Sequence, residues 1–349
     1  MPPDPTGIAD YSAILVKALR ERKPGWTVEV LGSKDRLSNE ECLFVHHVGN
    51  SSFHDFVYPL IFRHPDVLVL HDLVLHHARL LHYLESPEVR AYREDLASTE
   101  KRARALAELE AYRHEVATAY PETGETVASI AIRMGGGRLL YDYPLYEHLV
   151  KACRLTLVHS ESARDEVRAR CPESLVRRIR MGVALPTPVD KSEARRKLGL
   201  KDGLLLASFG LVTPEKRIIT ALRALKRLRN RGIAARYVLV GGGVAHFDPL
   251  MQARRLDIED AVTLTGRVSE EELSLYAFAA DLCLNLRYPT AGETSAMLLR
   301  LLACGRPVVV TDQVAMLELP ERVVARSSLE GEEDGLYCDL MDLIGDEDR

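Results

Sequence analysis

Three short segments of the chain carry residue types at spacings that suit a polar, negatively charged ligand. In LNLRYPTAGETSAMLLRLLACGRPVVV a β-like run ends at Asn285, an irregular stretch follows, and Gly292, Glu293, Thr294 and Ser295 enter a helical pattern. Unpaired N–H groups and the positive end of a helix make such a start an anion site suited to a diphosphate, and a glycine lets the anion approach the backbone closely. A plain helix cap by Thr294 or Ser295 is the other reading. In ASFGLVTPEKRIITAL, Gly210 ends a strand and Pro214, Glu215 and Lys216 open a helix. Lys216 is then a compact positive charge suited to stabilising a departing phosphate, or an ordinary surface lysine at a helix start. The third segment, DVLVLHD, ends in His71 and Asp72. An imidazole and a carboxylate there can hold sugar hydroxyls and offset a transient positive charge on a sugar ring; a core histidine capping the strand is the alternative.

Other chemistries find less support. Eight of the twelve histidines fall between His46 and His82, yet there is no His-Glu-x-x-His. The six cysteines are dispersed with no Cys-x-x-Cys, so the histidines read as partners for polar ligands rather than for a metal. Glycines 241 to 243 do not complete Gly-x-Gly-x-x-Gly because position 246 is His, which removes most of the case for hydride transfer.

These residues follow apolar runs that alternate with helical patterns, the signature of a parallel α/β sheet. A helix with Ile8, Ser12, Leu15 and Leu19 on one face precedes strands in TVEVLG, CLFVHHVG and DVLVLHD, with a helix in FHDFVYPLIFRHP ended by Pro65. From Pro87 to Glu115, Val89, Tyr92, Leu96, Thr99, Ala103 and Leu106 predict one long amphipathic helix, packed over the sheet edge or offered to a partner. GETVASIAIRM stops at Gly135-Gly136-Gly137, helix and strand alternation resumes in LYDYPLYEHLVKAC and LTLVHS, and Ser160 caps the next helix. Gly182, Pro186 and Pro188 mark a linker. Beyond it the strands are LLLASFG, ARYVLVGGG, VTLTG, DLCLNL and PVVVTD, with helices between them. The expected domains are 1–184, with a helical insertion over residues 75–150, and 185–349. In such sheets ligands gather beyond the carboxyl ends of the strands. There lie Gly49-Asn50, His54, His71-Asp72, Ser160, Gly210 to Lys216, Gly241 to Gly243, Gly266-Arg267 and Arg287 to Ser295.

The 349 residues carry a net charge of −5, with 46% hydrophobic and 28% charged residues, which excludes disordered and fibrous classes. No apolar run approaches the roughly 18 residues of a membrane helix, and the opening MPPDPTGIADYS has no signal-peptide pattern, so the expected location is cytoplasmic. Nothing points to nucleic acid. The clusters Arg177, Arg178, Arg180 and Arg195, Arg196, Lys197 are the candidates for peripheral contact with the inner face of a membrane.

Taken in order, PPDPTGIADYS, VLHD, LVHSESAR, SFGLVTPEKR, YVLVGGG, VTLTGRVSEEEL, AADLCLNLRYPTAGETS and ACGRPVVVTD resemble consecutive signatures of the retaining glycosyltransferases of family 4, the glycosyl transferases group 1. The resemblance implies the GT-B fold: α/β, two Rossmann-like domains facing each other across a cleft. It implies transfer of a sugar, with retention, from a nucleotide-diphosphate sugar to a saccharide or lipid-linked saccharide acceptor in polysaccharide or glycolipid synthesis. The second domain would bind the donor through Gly210, Lys216, Gly266, Arg267, Val268, Arg287, Gly292, Glu293, Thr294, Ser295 and Arg300. The first would meet the acceptor through Gly7, Asn50 and His54. His71, Asp72, Lys216 and Glu293 would be the catalytic set. No metal and no cofactor is implied beyond the nucleotide sugar as co-substrate; the only Asp-x-Asp is Asp346-Glu347-Asp348.

The chain departs from that pattern in three ways. The second acidic position of the donor loop and helix falls on Arg300, which cannot accept ribose hydroxyl protons. Leu211 stands where a basic residue is usual, leaving the phosphates to Lys216 with Arg217 or Arg287. The apolar strand that normally precedes the first loop and the helices that normally follow LMDLIGDEDR are missing, so the expectation is a truncated reading frame. A nucleotide-sugar epimerase of the same fold, and a catalytically silent assembly subunit using the helix at 87–115, are the alternative functions.

Overall fold

The computed structural model describes residues 7–32, 35 and 41–345. Pro2 to Thr6 of the expected glycine loop and Asp346 to Asp348 lie outside the described residues. The chain forms two units, residues 1–181 with 291–294, and residues 182–290 with 295–349.

The first unit is built on four parallel strands, β1 (Val45–Val48), β2 (Val67–Leu70), β3 (Leu155–Val158) and β4 (Val176–Arg178), paired in chain order. Helix Val57–Arg63 joins β1 to β2 and helix Glu161–Arg170 joins β3 to β4. Ser160 caps the latter as expected, its hydroxyl accepting from the Ala163 N–H at 3.1 Å. Val48, Leu68, Leu70, Leu149, Val158 and Val167 make its sheet core. Six helices lie between β2 and β3, and the longer ones close a second core around Leu80, Leu109, Tyr112, Val116 and Leu140.

Two expectations for this unit fail. Residues 27–32, read as the strand TVEVLG, are irregular; the Val28 carbonyl accepts from the Arg20 guanidinium at 2.7 Å instead of joining a ladder. The predicted single helix from 87 to 115 is two helices, Pro87–Arg93 and Thr99–Ala119, separated at Asp95, whose φ is +57°. Ser86 and Ser98 each cap a start, the first with Pro87 in its opening turn. A good N-cap inside a periodic run offers the chain a second start, and here it wins over the continuing period. The buried stripe of the second helix is Ala105, Leu109, Tyr112 and Val116, while Leu96 and Leu106 are exposed.

The second unit has six parallel strands, β5 (Leu204–Phe209), β6 (Ala235–Val240), β7 (Val262–Leu264), β8 (Leu282–Asn285), β9 (Val308–Thr311) and β10 (Ala325–Ser327), in the order β10-β9-β8-β5-β6-β7. Residues alternate between its two faces as the twofold strand period requires. Leu206, Tyr237, Leu239, Leu282, Leu284 and Val309 join the core under helix Ile218–Asn230. Leu205, Ala207, Phe209, Val238, Val240, Cys283, Val308 and Val310 join the core shared with Phe278 and Leu301. Each fully buried leucine contributes about 1.5–3 kcal/mol relative to exposure. The chain runs outward from β5 through β6 to β7, then returns to lay β8 on the opposite side of β5. The carboxyl ends of β5 and β8 therefore flank a topological switch point, where open α/β sheets bind ligands.

Candidate functional site

The loops that leave the switch point are bonded to each other. Gly210 turns the chain out of β5 with φ +82°, a conformation that favours glycine. Thr213 then leads into the single turn Pro214–Lys216, and Arg217, in the left-handed region, starts helix Ile218–Asn230. Lys216 is thus in a turn before the helix rather than in its first coil. Its ammonium folds back over the end of β5 and donates to the Phe209 carbonyl. A Cβ on Gly210 would meet Lys216 Nζ at 3.0 Å, a close contact with the lysine where it lies. The Tyr288 N–H donates to the Glu215 carbonyl at 2.7 Å, tying the loop after β8 to the turn that carries Lys216. Arg287 holds this loop through its backbone, its N–H donating to Thr311 Oγ1 at 2.9 Å and its carbonyl accepting from the Gln313 amide.

The neighbouring strand ends extend this region. Gly241 after β6 and Gly266 after β7 form a bridge, and Thr265 Oγ1 accepts from the Gly241 N–H and donates to the Gly266 carbonyl. Arg267 is exposed, whereas Val268 is half-buried against the apolar core. Ser295 is the cap of helix Ala296–Ala303: its hydroxyl accepts from the Leu298 N–H at 3.2 Å and donates to Asn285 Oδ1. The cap reading of this residue therefore holds, and Thr294 lies outside the helix. Two basic residues are engaged elsewhere. Arg217 is buried, with its guanidinium donating to Thr311 Oγ1 and the Ser328 carbonyl, and Arg300 forms an ion pair with Glu270.

In the first unit, the polar residues of the β1, β2 and β3 ends come together. Asn50 donates its backbone N–H to Asp72 Oδ2 at 2.6 Å, and its side-chain oxygen accepts from the Ala78 N–H at 2.9 Å. His54 is buried and donates from Nδ1 to the Gly49 carbonyl. Gly49 permits the approach: a Cβ there would stand 2.3 Å from Ile8 Cδ1 and 2.7 Å from Asp72 Oδ2. Gly7 is the exposed first residue of helix Gly7–Arg22. Residues 291–294 belong to this unit; the Leu73 N–H donates to the Ala291 carbonyl, and Gly292, at φ +71°, lies on the Leu73 side chain. Glu293 follows, half-buried.

His71 is buried, and both of its ring nitrogens face other imidazoles: Nε2 lies 3.0 Å from His47 Nδ1 and Nδ1 lies 3.2 Å from His159 Nε2. The Tyr11 ring packs against all three, 5.1–5.8 Å between centroids. Burial, and behind it the like-charge effect of the neighbouring rings, holds His71 well below the usual imidazole range and brings His47 down to about 4. His71 therefore meets other histidines, not Asp72, through its ring nitrogens. Neither His47 nor His159 stands out when the sequence is read residue by residue. The signal is positional: β2 and β3 pair Val67 with Leu155 and Val69 with Leu157, and that register carried on sets His71 beside His159. Among the described residues no three His, Cys, Asp or Glu side chains converge as metal ligands.

Of the two basic clusters, Arg178 pairs with Glu161, Arg195 with Asp281 and Lys197 with Glu193. No helix among the described residues is long and apolar enough to cross a membrane.

Comparison with known proteins agrees with this architecture. Residues 203–339 match the family described as glycosyl transferases group 1. Alpha-D-kanosaminyltransferase of Streptomyces kanamyceticus is 29% identical over 175 residues, 47% of this chain and 44% of that protein. D-inositol 3-phosphate glycosyltransferase of Stackebrandtia nassauensis is 38% identical over 134 residues, 35% of this chain and 30% of that protein. The chain thus matches less than half the length of these curated relatives. Among solved structures, Anabaena Alr3699/HepE in complex with UDP and glucose aligns with a TM-score of 0.54 and 15% identity, covering 95% of this chain and 79% of that one. The match to glycosyl transferases group 1 thus lies within the second unit, over residues 203–339, and the chain as a whole has the GT-B fold of the solved structure it aligns with.

Proposed function

We propose that this chain moves a sugar from a nucleotide-diphosphate sugar to a hydroxyl acceptor, with retention at the anomeric carbon, in the assembly of a polysaccharide or glycolipid. The observation that carries the reading is the switch point of the second unit. There the loops after β5 and β8 are joined by Tyr288 and Glu215, and Lys216 lies over the end of β5. That is where an α/β sheet binds a nucleotide, and a fixed ammonium there stabilises the charge that develops on a leaving diphosphate. The relatives' names, a kanosaminyltransferase and an inositol 3-phosphate glycosyltransferase, support sugar transfer, and the UDP and glucose bound to Alr3699/HepE support a nucleotide-sugar donor.

In this reading the second unit holds the donor through the ends of β5, β7 and β8. The first unit receives the acceptor near Asn50, His54, His71 and Asp72. Substitution takes place on the face the diphosphate leaves, through an oxocarbenium-like state, and Lys216 supplies the positive charge that a metal would otherwise bring. Transfer takes place in the cytoplasm. In this reading Lys216 carries the phosphate contact, since the Arg217 guanidinium donates to Thr311 and the Ser328 carbonyl and that of Arg300 pairs with Glu270.

The test is a thermal-shift series with UDP-, GDP-, dTDP- and ADP-sugars on the intact chain and on Lys216→Ala. A ligand that binds only the folded state stabilises it, by about 2.7 kcal/mol at a hundredfold excess over its Kd. Saturable stabilisation by one nucleotide class, lost in Lys216→Ala, is the expected result. A cooperative melt unmoved by all four donors would overturn the transferase reading.

A further inference from the structure

The three imidazoles at the ends of β1, β2 and β3 are joined in one direction only. His159 Nδ1 faces the Ile179 carbonyl at 3.1 Å. A carbonyl oxygen only accepts, so this nitrogen carries the proton and His159 Nε2 is bare. The bare nitrogen faces His71 Nδ1 at 3.2 Å, which must then be protonated, leaving His71 Nε2 bare. That atom in turn faces His47 Nδ1 at 3.0 Å, which donates to it. The last nitrogen, His47 Nε2, is left with its lone pair. Reversing the string would set two lone pairs, those of His159 and Ile179, against each other.

The end of the string is open. His47 is half-buried, whereas His71 and His159 are buried, and among the described residues His47 Nε2 has no hydrogen-bond partner. Among the described residues, those around the His47 ring are Tyr11 from helix Gly7–Arg22, His46 from its own strand, His54 from the turn after β1, and the two other members of the string. His46 and His54 have their own backbone acceptors, the His64 and Gly49 carbonyls, at 2.7 Å and 3.1 Å.

We infer that His47, His71 and His159 form a polarised string that fixes the Nε2 lone pair of His47 as a hydrogen-bond acceptor for a ligand hydroxyl at the carboxyl end of the first sheet. His71 and His159 are positioning residues that act through His47. The ligand part of the inference rests on the reading of this sheet end as the acceptor side; the direction of the string rests on the Ile179 carbonyl alone.

Long-range proton–nitrogen correlation on histidine-labelled full-length protein reads each tautomer whatever the ligand. The expected spectrum has His47, His71 and His159 all as the neutral Nδ1–H form at pH 7. Finding His71 or His47 as the Nε2–H form would overturn the inference, with no bearing on nucleotide binding. Two variants test the coupling. His159→Gln keeps an acceptor oxygen for His71 and a donor for Ile179, so the other two rings keep their tautomers. His159→Phe removes both, and His71 and His47 lose their fixed tautomers in a protein whose melting is checked first. Unchanged tautomers in the folded phenylalanine variant would also overturn it. Diethyl pyrocarbonate, which acylates bare imidazole nitrogens, is expected to label His47 and spare His71 and His159, and D-glucose at high concentration to protect His47. Labelling of His71 as fast as His47, or no protection, would count against the open acceptor.

Discussion

Asp281 shows how one carboxylate can anchor a segment. It accepts from Arg195 at 2.5 Å, Lys191 at 2.9 Å and the Leu205 N–H at 2.7 Å, so it ties helix Lys191–Lys197 to the first strand of the second unit. Burial raises its pKa, but the backbone N–H and the two cations outweigh it and the net shift is downward. A carboxyl depressed in the folded state stabilises at pH above its unfolded value and loses that contribution as pH falls through the folded one. Replacing Asp281 by Asn is therefore expected to flatten the acid limb of the stability–pH curve, read by urea melts between pH 6 and pH 3. Gly49 is a second single-residue test. The methyl of Gly49→Ala would displace Ile8 or Asp72, with an expected cost of about 1–3 kcal/mol and a weakened Asn50–Asp72 contact. Denaturant melts measure the first, and the amide shift of Asn50 reports the second. The chemistry at this scale was only partly legible. His71, Asp72 and Asn50 could be picked out because each lies within two residues of the end of a β-like run. That the two nitrogens of His71 are taken by His47 and His159 depends on strand register, which residue types do not encode.

At the scale of elements, helix His76–Leu84 is locked to helix Thr99–Ala119 by a buried ion pair. Arg79 donates to both oxygens of Glu115, at 2.8 Å and 2.7 Å, and to Asp55 at 3.1 Å. Its guanidinium also lies 4.2 Å from the Tyr58 ring centroid, and Tyr83 donates its hydroxyl to Glu115. Burial alone would raise the Glu115 pKa, yet the two-point bond from Arg79 brings it below the usual carboxylate range. Removing one partner leaves the other charged and dry. Arg79→Ala is therefore expected to cost about 3–5 kcal/mol, and Arg79→Met with Glu115→Leu considerably less, as a double-mutant cycle in urea would show. The periodic pattern of residues 87–115 gave the presence of helix but not its division or its buried face. Serine at 98 competes with the period, and the stripe that packs is Ala105, Leu109, Tyr112 and Val116. Short strands were missed for a related reason. β4 (VRR) and β10 (ARS) are three residues long and carry arginine in place of an apolar run, and they form strands because a neighbour pairs with them.

At the scale of the molecule, the second unit was the more legible. Its long apolar runs alternate between two buried faces, so β5, β6, β7, β8 and β9 could be read in order, along with the helices between them. Residues 179–190 have no regular structure, and Arg180 is exposed within them. Brief trypsin treatment of the native chain is expected to cut after Arg180 ahead of sites in the helices, giving two fragments near the boundary of the units, as mass spectrometry would report. First cleavage within Ile218–Asn230, despite its arginines, would argue that this helix opens more readily than the connecting segment.

The helical block between β2 and β3 has a consequence for how the first sheet is assembled. Val45 pairs with Val67, 22 residues on, whereas Val67 pairs with Leu155, 88 residues on. Closing a loop four times longer costs only about 1.2 kcal/mol more chain entropy, so the block weighs little on the equilibrium. Its weight falls on the order of events. The intervening helices have their own apolar core, and forming it first brings the ends of β2 and β3 within reach of each other. Refolding of the first sheet is then expected to wait on a helical bundle, and substitutions in the core of that bundle to slow strand pairing.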